Sequence, residues 1–139
     1  MNFNNGIQTS DYSVNQQRNY CRAVRTVSGT NNNAYVTLSQ HNLMVQKTNI
    51  YGSYFEGDAA CKNSNVGGFT DWRMPTLPEL RILYQNKTQI GGFFDDYYWS
   101  STLNYYDYNY HLVNFSNGNE GDYYTSQQKN FCRPVRSIH

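Results

Sequence analysis

The side chains in this sequence that could do chemistry are of types that make contacts rather than catalyse reactions. The 139 residues include 14 tyrosines and 19 asparagines, which together form about a quarter of the chain. Tyrosine offers a large contact area at a small cost in rotamer entropy, and asparagine offers adaptable hydrogen bonds. The same bias can mark a disordered, prion-like segment. Aromatic residues spread among runs of Val, Leu and Ile, with turn signals at strand-like intervals, favour a folded binding protein instead.

Two stretches near the C-terminal end concentrate these residues. Asn104–His111 reads NYYDYNYH and Asn119–Tyr124 reads NEGDYY. In a strand, Tyr106, Tyr108 and Tyr110 would share one face and the alternate polar residues the other. Whichever face is exposed would present aromatic or polar side chains to a ligand, next to Asn119–Tyr124. The candidate ligand-binding residues are Asn104, Tyr105, Tyr106, Asp107, Tyr108, Asn109, Tyr110, His111, Asn119, Glu120, Asp122, Tyr123 and Tyr124.

Sequence motifs of catalysis and cofactor binding are missing. The chain contains no H-E-x-x-H, no G-x-S-x-G, no phosphate-binding loop and no glycine-rich dinucleotide fingerprint. The three histidines, His41, His111 and His139, fall outside any such pattern. We therefore expect a protein that is not an enzyme and uses no cofactor and no metal.

The charge and hydropathy of the chain exclude two classes of partner. Charged residues make up 15 % of the sequence and the formal net charge is +1, which disfavours a nucleic-acid binder. No window approaches the roughly 18 consecutive apolar residues of a membrane span. The first ten residues have neither a basic nor an apolar region of the kind found in signal peptides, so we expect no signal within this chain.

Three cysteines leave the redox state open. Cys21, Cys61 and Cys132 are odd in number and show no C-x-x-C spacing, which disfavours a zinc site. One disulfide with one remaining thiol would suit an oxidising compartment. Three buried, reduced thiols fit the count equally well.

The chain contains one of its own segments twice. Residues 1–27 align end to end with residues 113–138 if one gap is allowed. An Asn-Gly pair in each copy predicts a β-hairpin with a type I′ turn, and Pro134 predicts a sheet edge or a bulge in the later copy. The matched residues are Asn2-Phe3 with Asn114-Phe115, Asn5-Gly6 with Asn117-Gly118, Gln16-Gln17 with Gln127-Gln128, Cys21-Arg22 with Cys132-Arg133, and Val24-Arg25 with Val135-Arg136.

This repeat divides the chain into two parts. In the simpler interpretation, residues 1–27 are the closing hairpin of a preceding copy and residues 28–139 are a complete domain. In the alternative, the N-terminal hairpin adds strands to the same domain. A lone hairpin is marginally stable in water, so it must dock on something, and self-association through residues 1–27 is one way to do so.

The helix signals lie in the middle of the chain. Residues 54–62 predict a short helix with Phe55 and Ala59 facing inward and Cys61 as a third inward candidate. Thr76 and Glu79 have the spacing of a capping box, which predicts a helix that begins after Thr76 and ends near residues 86–87. Its inward residues are expected to be Leu80, Leu83 and Tyr84.

The predicted strands lie on either side of these helices. With two short helices early and a run of antiparallel strands late, the pattern is typical of the α+β class. The expected strands are Tyr35–Leu38, Leu43–Lys47, Tyr97–Ser101, Asn109–Phe115, Gly121–Tyr124 and Asn130–Ile138.

Four motifs in a fixed order resemble a known family. The strings GGFTDWRMPTLPEL, YWSST, VNFSNG and VRSI resemble the Lcl C-terminal domain family and its relative, the Fibrobacter major paralogous domain. Leu43–Lys47 is similar to the family's Gly-Leu-Met-Trp-Gln stretch, with Val45 where a Trp is usual. The resemblance covers residues 28–139, and residues 1–27 match the family's closing segment.

The resemblance implies a C-type-lectin-like fold, in which two short helices flank a small twisted antiparallel sheet. It also implies an extracellular, cell-surface or virion-surface location. Some members of the family are targets of diversity-generating retroelements, which rewrite adenines and scatter Asn and Tyr codons. The two Tyr- and Asn-rich stretches have that residue palette. In such folds the first helix meets the last strand, so the resemblance favours a Cys61–Cys132 disulfide, with Cys21 in place of Cys132 as the competing pairing.

These observations lead to two functional hypotheses. The first is a non-catalytic ligand-binding module of the adhesin or receptor-binding type, whose partner is a protein or a carbohydrate on another surface. The second is a structural repeat subunit of a pilus-like assembly joined by strand exchange. Calcium-dependent sugar binding is not expected, because the Glu-Pro-Asn and Trp-Asn-Asp motifs of C-type lectins are missing.

Overall fold

The computed structural model of this protein describes residues 33–106, 108–123 and 128–138. The hairpin expected over residues 1–27, together with Cys21, lies outside the described residues, so that expectation stays a prediction.

The described part is of the α+β class, as the sequence predicts. Its elements follow the chain in this order: β1 Tyr35–Leu38, β2 Leu43–Gln46, β3 Ile50–Gly52, α1 Tyr54–Lys62, α2 Leu77–Gln85, α3 Lys87–Ile90, β4 Tyr97–Asn104, β5 Asn109–Asn114, β6 Glu120–Tyr123, β7 Asn130–Cys132 and β8 Val135–Ser137. The strand β3 and the four-residue helix α3 are additions to the predicted set.

The strands form two sheets, whereas the resemblance implied one. The orders are β1-β2-β8 and β3-β7-β4-β5-β6. The pairings are antiparallel except that β4 and β7 run parallel, with Tyr98 opposite Phe131. The expectation of a single antiparallel sheet is therefore wrong.

The last predicted strand is divided between the two sheets at one dipeptide. The predicted strand Asn130–Ile138 is interrupted at Arg133-Pro134, so that β7 belongs to one sheet and β8 to the other. Pro134 has no N–H to donate to a ladder, while its carbonyl accepts a hydrogen bond from Gln46 N at 2.9 Å. The chain thus crosses between the two sheets at the position where the sequence predicts a broken ladder.

Helix α1 has the predicted bounds but presents a different face. Ser53 and Glu56 form a reciprocal capping box at its start. The buried residues are Tyr54, Gly57 and Cys61. Phe55 is 61 % exposed, so the expectation that it and Ala59 face inward is wrong. A Cβ on Gly57 would lie 3.1 Å from Cys132 Sγ, so the helix packs closely on β7 at this position.

Helix α2 matches its prediction closely. Thr76 is the N-cap, and Thr76 and Glu79 form the expected capping box. Leu80 and Leu83 are fully buried. Tyr84 is half-buried, and its ring packs edge-on against Phe115 at 5.5 Å. The helix ends at Gln85, with Asn86 as its C-cap.

The turn between β5 and β6 is not the predicted type I′ turn. A type I′ turn needs positive φ at both central residues, but of Asn117 and Gly118 only Gly118 has it, at 81°. The connection is longer, and Gly118 N donates to Asn114 O at 2.7 Å. A Cβ on Gly118 would lie 2.8 Å from the ring of Tyr84, so the packing of α2 also requires a glycine here.

Both tryptophans are core residues. Trp72 and Trp99 are almost completely buried. Their indole N–H groups donate to Val66 O at 2.9 Å and to Gly52 O at 3.0 Å. Both rings therefore anchor the core, with each indole N–H bonded as is usual for a buried tryptophan.

Candidate functional site

The first Tyr- and Asn-rich stretch forms the turn of a hairpin rather than a continuous strand. Strand β4 ends at Asn104 and β5 begins at Asn109, with these two residues paired across the turn. The strand predicted over Asn109–Phe115 is present as β5, but the shared face that a strand would give Tyr106, Tyr108 and Tyr110 does not form, because Tyr106 and Tyr108 lie on the turn. The tyrosines at positions 105, 106 and 108, which we call the tyrosine tip, lie on the turn itself.

Asn104 holds this turn in place. Its side-chain oxygen accepts a hydrogen bond from Tyr106 N at 3.0 Å, and its carbonyl accepts one from Tyr108 N at 2.7 Å. Tyr108 has a φ of 59°, a left-handed conformation that is uncommon for a residue other than glycine. An asparagine side chain that bonds to the backbone two residues ahead favours a turn over a strand.

The tyrosine tip is the most exposed aromatic group of the described chain. Tyr105 is 79 % exposed, Tyr106 is 99 % exposed and Tyr108 is 70 % exposed. Their rings contribute little to the core and are available for a partner. The structure thus places these three predicted site residues together in solvent.

Two other predicted contact residues belong to the interior. Tyr110 is half-buried, and its ring stacks on Tyr54 at 3.5 Å with the planes 5° apart. Burial, followed by the nearby Tyr110, raises the pKa of Tyr54. Asn109 is only 6 % exposed. Tyr110 and Asn109 therefore pack within the hairpin and against α1 rather than lying on the exposed turn.

The polar residues of strand β6 are engaged with the framework. Asn104 Nδ2 donates to Asp122 Oδ2 at 2.9 Å, which joins β4 to β6 across the intervening β5. Glu120 receives two hydrogen bonds from Arg81, at 2.5 and 2.8 Å. These hydrogen bonds lower the pKa of Glu120. The two carboxylates therefore stabilise the sheet edge.

Only part of the second Tyr- and Asn-rich stretch, Asn119–Tyr124, lies near the tyrosine tip. In the β5–β6 ladder, Tyr123 lies opposite Tyr110 near the tip, and His111, which is half-buried, lies opposite Asp122. Glu120 lies opposite Val113 at the far end, three residues or about 10 Å away along the strand. Asn119 precedes Glu120 in the far turn, so neither reaches the tyrosine tip. Asp107 and Tyr124 lie outside the described residues.

A second group of exposed rings was missed from the sequence. Tyr51 and Phe94 are both more than half exposed, and their rings lie 4.9 and 5.0 Å from that of Phe131. They come from distant parts of the chain, so no local pattern could have found them. Arg81, the partner of Glu120, likewise had no sequence signal.

The described chain also has a shallow concave feature. A groove of about 180 Å³ lies between the β1–β2 connection and the residues that follow α2, lined mainly by polar side chains such as Ser39, His41 and Asn86. No aromatic side chain lines it. Among the described residues, no three His, Cys, Asp or Glu side chains come together to hold a metal ion. No helix in the described ranges is long and apolar enough to cross a membrane.

Cys61 and Cys132 lie side by side in the core. Both are fully buried, and their sulfur atoms are 3.7 Å apart as free thiols. The hydrogen bond with Cys61 and burial raise the pKa of Cys132. The first helix and a late strand thus meet at these residues, while the covalent bond between them stays a prediction.

Comparison with known protein families gives a match over most of the chain. No curated protein matches the chain. The family model for the Lcl C-terminal domain matches residues 28–136. These residues make up well over half of the chain and include the three α-helices and every described strand except the last residue of β8. The chain therefore belongs to the Lcl C-terminal domain family.

Proposed function

We propose that this protein is a non-catalytic ligand-binding module of the adhesin or receptor-binding type, displayed outside the cell or on a virion. Membership of the Lcl C-terminal domain family indicates a surface or adhesin-like domain. The observation that carries the finer proposal is the tyrosine tip, three solvent-exposed rings on a turn fixed by hydrogen bonds.

The chemistry of the tip suits recognition of a protein or carbohydrate surface. Tyrosine rings are enriched among residues that dominate binding energy, and they offer an apolar face with a polar hydroxyl that fixes orientation. Because Asn104 already orders the turn, little conformational entropy is lost when the rings are covered. The tip projects from the sheet, so its partner presents a concave or groove-like surface.

The contact set is smaller than the one expected from the sequence. It consists of Tyr105, Tyr106 and Tyr108, with Asp107, Tyr123 and Tyr124 remaining as predicted members. Asn104, Asn109, Tyr110, Glu120 and Asp122 form the framework behind it. In this proposal the framework stays constant while the tip determines the partner.

Two expectations from the resemblance belong to the same proposal. The scaffold is a variant of the C-type-lectin-like fold, and the tip is a site of adenine-directed diversification. A reverse transcriptase gene beside the coding sequence, with a near-copy of the 3′ region that differs at adenines, would support diversification. Flanking DNA with neither feature would contradict it.

The test removes the rings while preserving the fold. The tip variant carries Tyr105→Ala, Tyr106→Ala and Tyr108→Asn, since Asn tolerates the left-handed conformation of residue 108. The matched control is Tyr51→Ala, which removes an exposed tyrosine from strand β3. Binding of the full chain is measured on a glycan microarray and against a displayed library of random peptides.

We expect the tip variant to lose at least ten-fold in affinity for every probe that the unsubstituted protein retains. Its melting temperature should stay within about 2 °C, because exposed side chains contribute little to stability. Tyr51→Ala should bind normally. Equal binding by the tip variant and the unsubstituted protein would contradict the proposal.

A further inference from the structure

The C-terminal segment that is repeated at the N-terminus completes the folded domain. We call residues 113–138 the closing segment and residues 33–112 the body. The described part of the closing segment includes β7, which lies between β3 and β4 in the larger sheet, and β8, which pairs with β2 in the smaller one. Its side chains Phe115, Cys132 and Val135 are fully buried. The body alone would leave both cores open.

Arg133 makes the most specific contacts between the two parts. It is completely buried, and its guanidinium donates hydrogen bonds to Asn49 Oδ1 at 2.8 Å, Gln46 O at 3.0 Å and Gly91 O at 3.1 Å. It also stacks on the ring of Phe93 at 3.8 Å. These partners come from two separate regions of the body, the end of β2 with the residues after it and the segment before β4, so Arg133 joins both to the closing segment.

Two further side chains bind the end of the segment to the body. Arg136 forms an ion pair with Asp71 at 2.6 Å and stacks on the ring of Phe69. The hydroxyl of Ser137 accepts a hydrogen bond from Arg73 at 2.8 Å. The closing segment is therefore held to the body by specific polar contacts as well as by the burial of its apolar side chains.

Residues 1–27, the N-terminal copy, contain the same recognition residues in the same order. Eight of the anchors of the closing segment have an identical or closely similar counterpart. The pairs are Phe3 for Phe115, Asn19 for Asn130, Tyr20 for Phe131, Cys21 for Cys132, Arg22 for Arg133, Val24 for Val135, Arg25 for Arg136 and Thr26 for Ser137.

Residues 1–139 therefore include two sequences that match the segment closing this body. The place on its own body is filled by residues of the closing segment. We propose that the N-terminal copy completes a second copy of this domain, taking the position that residues 113–138 hold in the structure. The partner is a body of the same sequence whose own closing segment is absent or displaced. This inference is independent of the tyrosine tip.

The test uses full-length chains in which either copy is disabled. An aspartate at a fully buried apolar position prevents docking, because it would bury an unpaired charge. The tagged acceptor carries Phe115→Asp and Val135→Asp in the closing segment and Phe3→Asp and Val24→Asp in the N-terminal copy. It is co-expressed with an untagged donor that is either unsubstituted or carries only Phe3→Asp and Val24→Asp as the matched control.

We expect the acceptor to recover the unsubstituted donor in a 1:1 complex, and at least ten-fold less of the control donor. The acceptor should unfold cooperatively only in that complex. The control donor by itself should melt like the unsubstituted chain, because its own closing segment is intact.

Three outcomes would overturn the inference. Equal recovery of both donors would show that the N-terminal copy is not what binds. Recovery of neither donor would show that it cannot close a second body. A control donor that fails to fold would show that residues 1–27 are needed by their own domain.

Discussion

At the scale of single residues, the structure distinguishes tyrosines whose rings are exposed to solvent from tyrosines whose rings pack against the rest of the domain. Tyr106 and Tyr110 are four positions apart, yet one is almost wholly in solvent and the other is stacked on Tyr54. The difference arises because the chain reverses between them, so that Tyr110 faces helix α1. Side chains of one type in one short stretch therefore have opposite roles.

Replacing Tyr110 tests this separation. Tyr110→Ala removes the stacked ring from the Tyr54 and Trp99 cluster, and we expect it to lower the free energy of unfolding by about 2 to 3 kcal/mol. Tyr106→Ala should change it by less than about 0.5 kcal/mol. Urea unfolding of both variants measures the two effects, and similar losses would contradict the assigned roles.

Glu79 gives the domain a predictable response to acid. Burial by itself would raise the pKa of Glu79, but hydrogen bonds from Arg73 and Thr76 outweigh it and hold the pKa below its usual value. A carboxylate whose pKa is lowered on folding stabilises the protein above its unfolded pKa, and this contribution is lost as the pH falls through the folded pKa.

Melting temperatures between pH 7 and pH 3 should show this response. Glu79→Gln should melt below the unsubstituted protein at pH 7, and the gap should narrow as the pH falls below about 4.5, the ordinary value for a glutamate. The gap should narrow because protonated Glu79 no longer pairs with Arg73. A gap that stays constant across the range would contradict the assignment.

At the scale of elements, helix α2 and the β5–β6 turn are fitted to each other through Gly118. This glycine has a φ of 81°, and any Cβ would meet the ring of Tyr84 at 2.8 Å. Gly68 has a nearly identical φ of 82° but nothing within 4 Å of its Cβ position. Substitutions at the two glycines therefore distinguish the cost of backbone strain from the cost of a packing clash.

Substituting alanine at each position measures the energetic cost of backbone strain and of the clash with Tyr84. Gly68→Ala should cost only the left-handed strain, about 1 kcal/mol. Gly118→Ala should cost about 2 kcal/mol or more, because the ring of Tyr84 must also move away from Phe115. Chemical denaturation of both variants gives the comparison. Equal costs would show that the contact with α2 contributes nothing.

At the scale of the whole molecule, the two sheets and the two core clusters are joined by the closing segment. Cys132 lies in the cluster beneath α1, while Val135 lies in the cluster beneath α2. A covalent link between Cys132 and Cys61 would close a loop across 71 positions of the chain. Cross-links that close long loops restrict the unfolded chain most.

Oxidation should therefore stabilise the domain strongly. If Cys61 and Cys132 pair, the free energy of unfolding should rise by about 4 kcal/mol over the reduced protein. Cys21→Ser should keep this gain and Cys132→Ser should lose it. Peptide mapping under non-reducing conditions identifies the bond, and a Cys21–Cys61 peptide in the unsubstituted protein would contradict the assignment.

Local signals in the sequence were sufficient for several elements. The Thr76–Glu79 capping box and the leucines at positions 80 and 83 determined where α2 begins and which face it buries. These signals involve residues within about one or two helical turns, so they do not depend on contacts with distant parts of the chain. The family could be named for the same reason, since its motifs are continuous strings.

Contacts between distant residues decided the rest. The face of α1 depends on Tyr110 and Cys132, which lie far along the chain from Tyr54 and Cys61. The alternation of tyrosines could not show whether they lie in a strand; Asn104, which accepts a hydrogen bond from Tyr106 N and donates one to Asp122, holds a turn there.

The sequence by itself therefore determined the α+β class, the start of α2, the family and the duplication of the closing segment. Only the tertiary structure decided that there are two sheets and which tyrosines remain in solvent. The physical reason is that propensity and capping act within a few residues, whereas burial and strand pairing depend on segments brought together from the whole chain.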